Sequence, residues 1–177
     1  GKLARFKAEL LNEFVAEHAV RTVIEFGCGD GNQLGLAEYP SYLGFDVSDS
    51  AVALCKKAIG ADAGKTCKPL REYDGETADL VLSLDVLYHL VEPIVFEQYL
   101  RTLFGASTRF VIVYSTNTDD NAGFEGTHVR HRRFTDWIEK QLPDWTVIRH
   151  IPNRFPDAGD LASGSAADFF VYEKTGS

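Results

Sequence analysis

Apolar residues occur along this chain in two recurring patterns separated by polar turns. Residues 2–19 have apolar side chains every three or four positions, which is the spacing of an amphipathic helix. Residues 79–84 form a nearly continuous apolar run, as expected for a strand buried on both faces of a parallel sheet. The same criteria predict helices over 31–38, 51–59, 92–104 and 135–142, and strands over 22–26, 41–46, 65–70, 109–114, 145–151 and 168–173.

The order of these elements predicts the class of fold. Strands alternate with helices, which indicates an α/β domain with a mostly parallel sheet, here of seven strands. No helical pattern separates the last two strands, so we expect them to form an antiparallel hairpin at one edge. A length of 177 residues favours a single domain spanning residues 1–177 with one sizeable core.

Composition and charge narrow the possible partners. The formal net charge of −8 disfavours general binding to nucleic acid or to an anionic membrane. No stretch approaches the ~18 apolar residues of a membrane helix, and no secretory signal is visible, so we expect a cytoplasmic protein. The three cysteines, Cys28, Cys55 and Cys67, include no C-x-x-C pair, which argues against a disulfide framework or a zinc site and predicts reduced thiols.

The most informative stretch is the turn that follows the first predicted strand. Gly27, Gly29 and Gly31 alternate with other residues immediately before a predicted helix. Such a turn allows a ligand to approach the backbone, and the N-terminus of the helix would suit a carboxylate. Asp46 follows about 20 residues later, where an acid binds ribose hydroxyls in dinucleotide folds. The third glycine comes one residue too early for the dinucleotide fingerprint, because position 32 is Asn.

The pattern E-x-G-x-G-x-G over residues 25–31, with Asp46 closing the second strand, resembles the class I S-adenosylmethionine-dependent methyltransferases. The resemblance implies a Rossmann-like, doubly wound sheet and S-adenosyl-L-methionine as cofactor. Asp46 would accept hydrogen bonds from the adenosine ribose, and Val47 would flank the adenine. The implied cofactor-binding residues are Glu25, Gly27, Cys28, Gly29, Gly31, Asp46, Val47, Leu84 and Asp85.

A second segment, residues 83–90, resembles the motif of that family in which the backbone after the fourth strand faces the methyl donor. Asp85 and His89 are four residues apart, so they share one face of a helical turn. His89 is therefore a candidate catalytic residue, although it could instead pack beneath the next helix.

A basic segment, residues 127–133, contains two histidines and three arginines in an otherwise acidic chain. Residues 128–137 are similar to small bacterial methyltransferases that act on sugars or surface glycans. His128 and His131 are candidate general bases, and the arginines are candidate ligands of an anionic acceptor. Two alternatives remain open: a solvated basic loop, or a metal site formed with Asp85 and His89, although no spacing shows that these residues converge.

These observations predict an enzyme that transfers a methyl group from S-adenosylmethionine to a hydroxyl of a small polar acceptor, such as a sugar or an anionic metabolite. Neither nucleic acid nor a membrane is an expected partner. Two alternatives belong to other classes: a nicotinamide-dependent oxidoreductase, and a catalytically silent subunit that binds the cofactor.

Overall fold

The computed structural model describes residues 1–159 and 164–176. Within them, four α-helices flank seven strands. The helices are α1 (Lys2–Glu17), α2 (Asp49–Ile59), α3 (Pro93–Gly105) and α4 (Phe134–Gln141). The strands are β1 (Val23–Phe26), β2 (Tyr42–Asp46), β3 (Lys65–Pro69), β4 (Ala78–Leu84), β5 (Ser107–Ser115), β6 (Trp145–Ile151) and β7 (Asp168–Lys174).

The seven strands form one sheet in the order β3-β2-β1-β4-β5-β7-β6. Strands β1 to β5 are parallel, and β7 pairs antiparallel with both β5 and β6. The predicted fold class, including its antiparallel C-terminal hairpin, is confirmed. Strand order reverses between β1 and β4, and ligands of open α/β sheets bind at the carboxyl ends of the strands beside such a reversal.

Apolar side chains cover both faces of the sheet. Leu11 and Phe14 of α1 pack in the cluster on one face, and Leu100 and Leu103 of α3 pack in the cluster on the other. Successive residues of β4 enter opposite clusters, because strand side chains alternate between faces. This burial on both sides explains the nearly continuous apolar run of β4.

Helix α2 has well-defined ends. The Ser48 hydroxyl accepts a hydrogen bond from the Ala51 N–H at 3.2 Å, which caps the first turn. Gly60, with a φ of 61°, ends the helix in a conformation that favours glycine. The helix begins at Asp49 rather than at the predicted residue 51, because the cap lies two residues earlier.

The predicted helix over 31–38 is wrong. The structure has only one 3₁₀ turn there, Leu34–Leu36. Glycines at positions 31 and 35 disfavour a helix by about 1 kcal/mol each. Asn12 of α1 also bonds both the Leu36 carbonyl and the Glu38 N–H, so tertiary contacts satisfy groups that a longer helix would have paired. No α-helix N-terminus therefore follows the glycine turn.

Two smaller findings complete the fold. Helix α4 begins at Phe134 rather than at Thr135, whose hydroxyl donates to the Asn117 side chain at 3.1 Å instead of capping the helix. In the described part of the chain, every helix is too short or too polar to cross a lipid bilayer.

Candidate functional site

The turn after β1 has a backbone that requires glycine. Gly27, Gly29 and Gly31 have φ values of 85°, 58° and 83°, in the left-handed region. A Cβ atom on Gly27 would lie 2.4 Å from Cγ2 of Val86, so a side chain there would collide with the turn after β4. A Cβ on Gly29 would meet no atom within 4 Å. Open space therefore adjoins the middle of the turn, where a bound group can approach the backbone.

Asp46 connects this turn to the end of β2. Its carboxylate accepts hydrogen bonds from the Gly29 N–H through Oδ2 and from the Ser48 N–H through Oδ1, both at 2.9 Å. An ionised carboxylate has about four lone-pair sites, so lone pairs remain for two donors of a ligand. The acid identified in the sequence thus lies beside the glycine turn and is already oriented.

Glu25 lies behind the turn. Its side chain is buried and accepts a hydrogen bond from the Tyr42 hydroxyl at 2.6 Å. Burial raises the pKa of this carboxyl to about 7, and the Tyr42 hydrogen bond and the charge of Lys7 only partly oppose the rise. Glu25 is not among the residues that line the two cavities described below, and its contribution to cofactor binding stays a prediction.

A cavity of about 660 Å³ opens between the glycine turn, the end of β2 and α3. We name it the glycine-turn cavity. Its volume is within the ~300–1,000 Å³ typical of small-molecule sites. Several residues that line it carry no motif in the sequence, because helix α3 and the turn after β3 bring them there from a distance. Of the predicted residues it is lined by Gly27, Asp46, Val47, Leu84, Asp85 and His89; those that sequence reasoning missed include Leu70, Tyr73, Val95, Gln98 and Tyr99.

Asp85 occupies a backbone conformation that is uncommon for residues other than glycine. Its φ of 60° is in the left-handed region, which costs a non-glycine residue about 1–2 kcal/mol. Two contacts fix the side chain: an ion pair from Lys7 Nζ to Oδ2 and a hydrogen bond from the Tyr88 hydroxyl to Oδ1, both at 2.8 Å. Burial and the neighbouring carboxylate raise the pKa of Tyr88 above its ordinary value, so Tyr88 is a neutral donor.

A second cavity, of about 700 Å³, lies on the other side of Asp85. We name it the His131 cavity. Asp85 and His89 line both cavities, so the two spaces adjoin at these residues. The new cavity combines aromatic rings with carboxylates, which suits a partly polar ligand. Its other lining residues include Lys7, Tyr88, Tyr114, Thr116, Asp120, Phe124, His131 and Asp157.

His131 is held in this cavity from several directions. Its Nδ1 atom lies 2.7 Å from the Thr116 hydroxyl oxygen, and its ring packs against the edge of Phe124 with centroids 4.7 Å apart. Asn121 accepts from the His131 N–H at 2.7 Å and donates to the His131 carbonyl at 3.0 Å. Burial lowers the pKa of the His131 imidazole below its ordinary value, which favours the neutral ring.

The rest of the basic segment lies elsewhere. His128 is exposed and lines neither cavity. The Arg132 guanidinium donates to the carbonyls of Leu90 and Val91 and lies over the Phe96 ring at 4.6 Å. Arg132 therefore fastens the segment to the chain after β4. None of the three arginines is among the described residues that line the His131 cavity.

The metal interpretation of Asp85, His89, His128 and His131 receives no geometric support. Within residues 1–159 and 164–176, one group of three side chains brings its possible ligand atoms within 4.8 Å of one another. That group consists of Cys28, Cys55 and Cys67.

The prediction of three reduced thiols is also wrong in this structure. A disulfide joins Cys55 of α2 to Cys67 of β3, across a Cα–Cα distance of 6.3 Å. The two residues become neighbours because α2 packs against β3, which the spacing of cysteines does not reveal. The Cys28 side chain points toward this pair, so only its backbone belongs to the glycine turn.

The carboxyl edge of the parallel sheet carries a glycine turn, an oriented acid after β2 and two adjoining cavities. This arrangement is typical of α/β enzymes that bind a nucleotide cofactor. The sequence profile of the family described as "Methyltransferase domain" matches residues 1–163. The chain therefore belongs to this family, as a class I methyltransferase with S-adenosylmethionine as cofactor. This assignment confirms the predicted family and cofactor and decides against a nicotinamide-dependent oxidoreductase.

Solved structures share the fold at low sequence identity. The methyltransferase domain of bacterial CtHen1 is 18% identical, with 98% of this chain and 100% of that chain covered and a TM-score of 0.74. Magnesium protoporphyrin IX methyltransferase from Synechocystis PCC 6803, with bound SAH, is 16% identical over 97% and 83% of the two chains, with a TM-score of 0.72. N-methyltransferase NodS from Bradyrhizobium japonicum WM9, in complex with S-adenosyl-L-homocysteine, is 14% identical over 96% and 85%, with a TM-score of 0.74. A comparison with curated proteins found no match.

Proposed function

We propose that the glycine-turn cavity binds S-adenosylmethionine and that the His131 cavity binds the methyl acceptor. Asp46 accepts hydrogen bonds from the ribose hydroxyls through its remaining lone pairs, and Val47 flanks the adenine. The backbone of Gly29, where a Cβ would meet no atom within 4 Å, leaves room for the rest of the cofactor. When bound, the cofactor supplies an electrophilic methyl group on a sulfonium. Asp85, which lines both cavities, stands at the passage between cofactor and acceptor.

We further propose that the acceptor is a hydroxyl of a small polar molecule such as a sugar. The observation that carries this proposal is the imidazole of His131, which lines the cavity with Nδ1 against Thr116 and has a pKa that burial lowers. If Nδ1–H donates to the Thr116 hydroxyl, Nε2 presents its lone pair and can accept a proton. A hydroxyl nucleophile has a high pKa and benefits from such a base. His89, at the junction of the cavities, is the second candidate base, and His128 is the weakest.

The charged side chains that line the His131 cavity indicate which type of acceptor it suits. Asp85, Asp120 and Asp157 line it, whereas its cation Lys7 is already paired with Asp85. This balance favours a neutral or cationic acceptor over an anionic one. It also supports a second candidate function, methyl transfer to an amine, because the carboxylates would attract the ammonium form and His131 could remove its proton. NodS, a structural neighbour, is an N-methyltransferase.

The test is release of S-adenosylhomocysteine in the presence of hydroxyl acceptors (monosaccharides and alkyl glycosides) and of primary amines. Mass spectrometry of the product identifies the methylated atom. With an active acceptor, His131→Ala should lower the methyl-transfer rate by about 10²–10⁴-fold. His128→Ala removes the exposed histidine of the same segment and is the matched control. The rate of the wild type should fall as pH drops through the lowered pKa of His131, because only the neutral ring accepts a proton.

Each alternative has a distinct outcome. If only N-methylated products form, the acceptor is an amine rather than a hydroxyl. If a single-stranded RNA probe is methylated, the acceptor is a nucleic acid rather than a small molecule. Thermal stabilisation by S-adenosylhomocysteine without transfer to any acceptor would indicate the silent cofactor-binding subunit. Equal rates in His131→Ala and wild type would remove His131 from the role of base.

A further inference from the structure

Three cysteines that the proposed reaction does not use meet beneath the glycine turn. Cys28 comes from the turn, Cys55 from α2 and Cys67 from β3. All three are buried, with exposed fractions of 7%, 0% and 0%. Their sulfur atoms lie within 4.8 Å of one another, and the sulfurs of Cys28 and Cys67 are 3.9 Å apart. Three separate elements thus direct every cysteine of the chain to one point.

The 3.9 Å between the Cys28 and Cys67 sulfurs matches the separation of two thiolates on one metal ion, and reduction of the bond between Cys55 and Cys67 frees the third sulfur to move to the same spacing. Metal–sulfur bonds to thiolates are about 2.3 Å long, so three sulfurs around one ion lie roughly 4 Å apart. Two glycines pack against the cluster: a Cβ on Gly44 would lie 2.9 Å from the Cys28 sulfur, and one on Gly31 would lie 3.4 Å from the Cys55 sulfur. Larger residues at these positions would press on the sulfurs from both sides.

We propose that Cys28, Cys55 and Cys67 bind one thiophilic cation, of the Zn²⁺, Cd²⁺ or Cu⁺ type, when the Cys55–Cys67 disulfide is reduced. A phosphine reductant and one water convert the disulfide into two thiols and yield the phosphine oxide. The cation then displaces the three thiol protons to solvent and forms three metal–sulfur bonds. Thiolates select soft cations over Mg²⁺ or Ca²⁺, whose preferred ligands are oxygens.

Binding at this cluster would also act on the cofactor site. Cys28 lies between Gly27 and Gly29, and Gly29 donates to Asp46 at 2.9 Å. A metal held by Cys28 would therefore restrain the turn. This consequence is separate from methyl transfer and needs no acceptor to be known.

The experiment uses the whole domain, reduced with a phosphine under anaerobic conditions and titrated with Cd²⁺. The readouts are the ultraviolet sulfur-to-cadmium charge-transfer absorption and native mass spectrometry. We expect one equivalent to bind the reduced protein and to raise its melting temperature. The unreduced wild type is the matched control that needs no substitution, and it should bind at least about tenfold more weakly because only one thiol is available.

Variants locate the ligands. Cys28→Ser, Cys55→Ser and Cys67→Ser should each weaken binding by about tenfold or more, and circular dichroism verifies their folding. If Cys28→Ser does not fold, Cys28→Ala, with its smaller side chain, is measured in its place. No Cd²⁺ binding by the reduced wild type would overturn the proposal, as would equal affinity in the Cys28 variants, which would leave a site of two thiols.

Discussion

Replacing Glu25 by glutamine should change how the stability of the domain depends on pH. Burial raises the pKa of the Glu25 carboxyl from 4.5 to about 7 in the folded protein. In the unfolded chain the carboxyl is in water and loses its proton near its ordinary pKa of 4.5. Between these two pH values the folded state holds more protons than the unfolded state. The free energy of unfolding of the wild type therefore falls as pH rises through this window.

The size of the effect follows from the width of the window. One pKa unit corresponds to about 1.4 kcal/mol, so Glu25 should remove roughly 3 kcal/mol of stability as pH rises from 4.5 to about 7. Above pH 7 the carboxyl is ionised in both states, and the loss stops. Glutamine does not ionise, and its carbonyl oxygen can still accept from the Tyr42 hydroxyl. The stability of Glu25→Gln relative to the wild type should therefore increase with pH by this amount.

Urea unfolding followed by circular dichroism, from about pH 5 to about pH 8, measures the difference in free energy of unfolding between Glu25→Gln and the wild type. Glu13→Gln, an exposed glutamate on α1, controls for the loss of a surface charge. Tyr42→Phe removes a hydrogen bond that lowers the pKa of Glu25, so it should move the window to higher pH. A difference between Glu25→Gln and wild type that stays constant over this range would refute the reasoning.

Three further substitutions test the cofactor site and its packing. Asp46→Ala should weaken S-adenosylhomocysteine binding by about 10- to 150-fold in calorimetric titration, because it removes a charge-assisted hydrogen bond worth roughly 1.5–3 kcal/mol; unchanged affinity in the folded variant would contradict the assignment. Gly29→Val should lose cofactor binding, because the φ of 58° strains a valine and its side chain enters the open space beside the turn; wild-type affinity by the same titration, in a variant whose folding circular dichroism verifies, would count against that placement. Gly44→Ala should lower the free energy of unfolding by about 1–3 kcal/mol in urea, because its Cβ would lie 2.8 Å from Cβ of Cys28. Gly105→Ala, whose Cβ meets nothing within 4 Å, is its control, and equal losses in the two variants would exclude crowding as the cause.

Local patterns in the sequence were sufficient for most of the fold, for the family and for the identity of the cofactor. The apolar periodicity of α1 and the nearly continuous apolar run of β4 reflect which side chains face the core. A short window of sequence is enough to reveal either pattern. The glycine turn and Asp46 are recognisable because their geometry is local: a left-handed backbone needs glycine, and Asp46 at the end of β2 accepts a hydrogen bond from the Gly29 N–H.

The tertiary structure decided what depends on contacts between distant residues. The segment after Gly31 forms a 3₁₀ turn because the side chain of Asn12, in α1, hydrogen-bonds to the Leu36 carbonyl and the Glu38 N–H. The histidines of the basic segment look alike in sequence, but packing against Thr116 and Phe124 buries His131 and leaves His128 in solvent.

The same physical reason applies to the charged and sulfur-containing groups. Lys7 reaches Asp85 across 78 positions of sequence, and Cys28 reaches Cys67 across 39. These separations carry no periodic signal, because the packing of α1 and the order of the strands in the sheet, rather than the spacing of residues along the chain, bring these residues together. The sequence by itself therefore determined the architecture and the cofactor, whereas the pairing of Asp85, the environment of His131 and the cysteine cluster arise only from the folded chain.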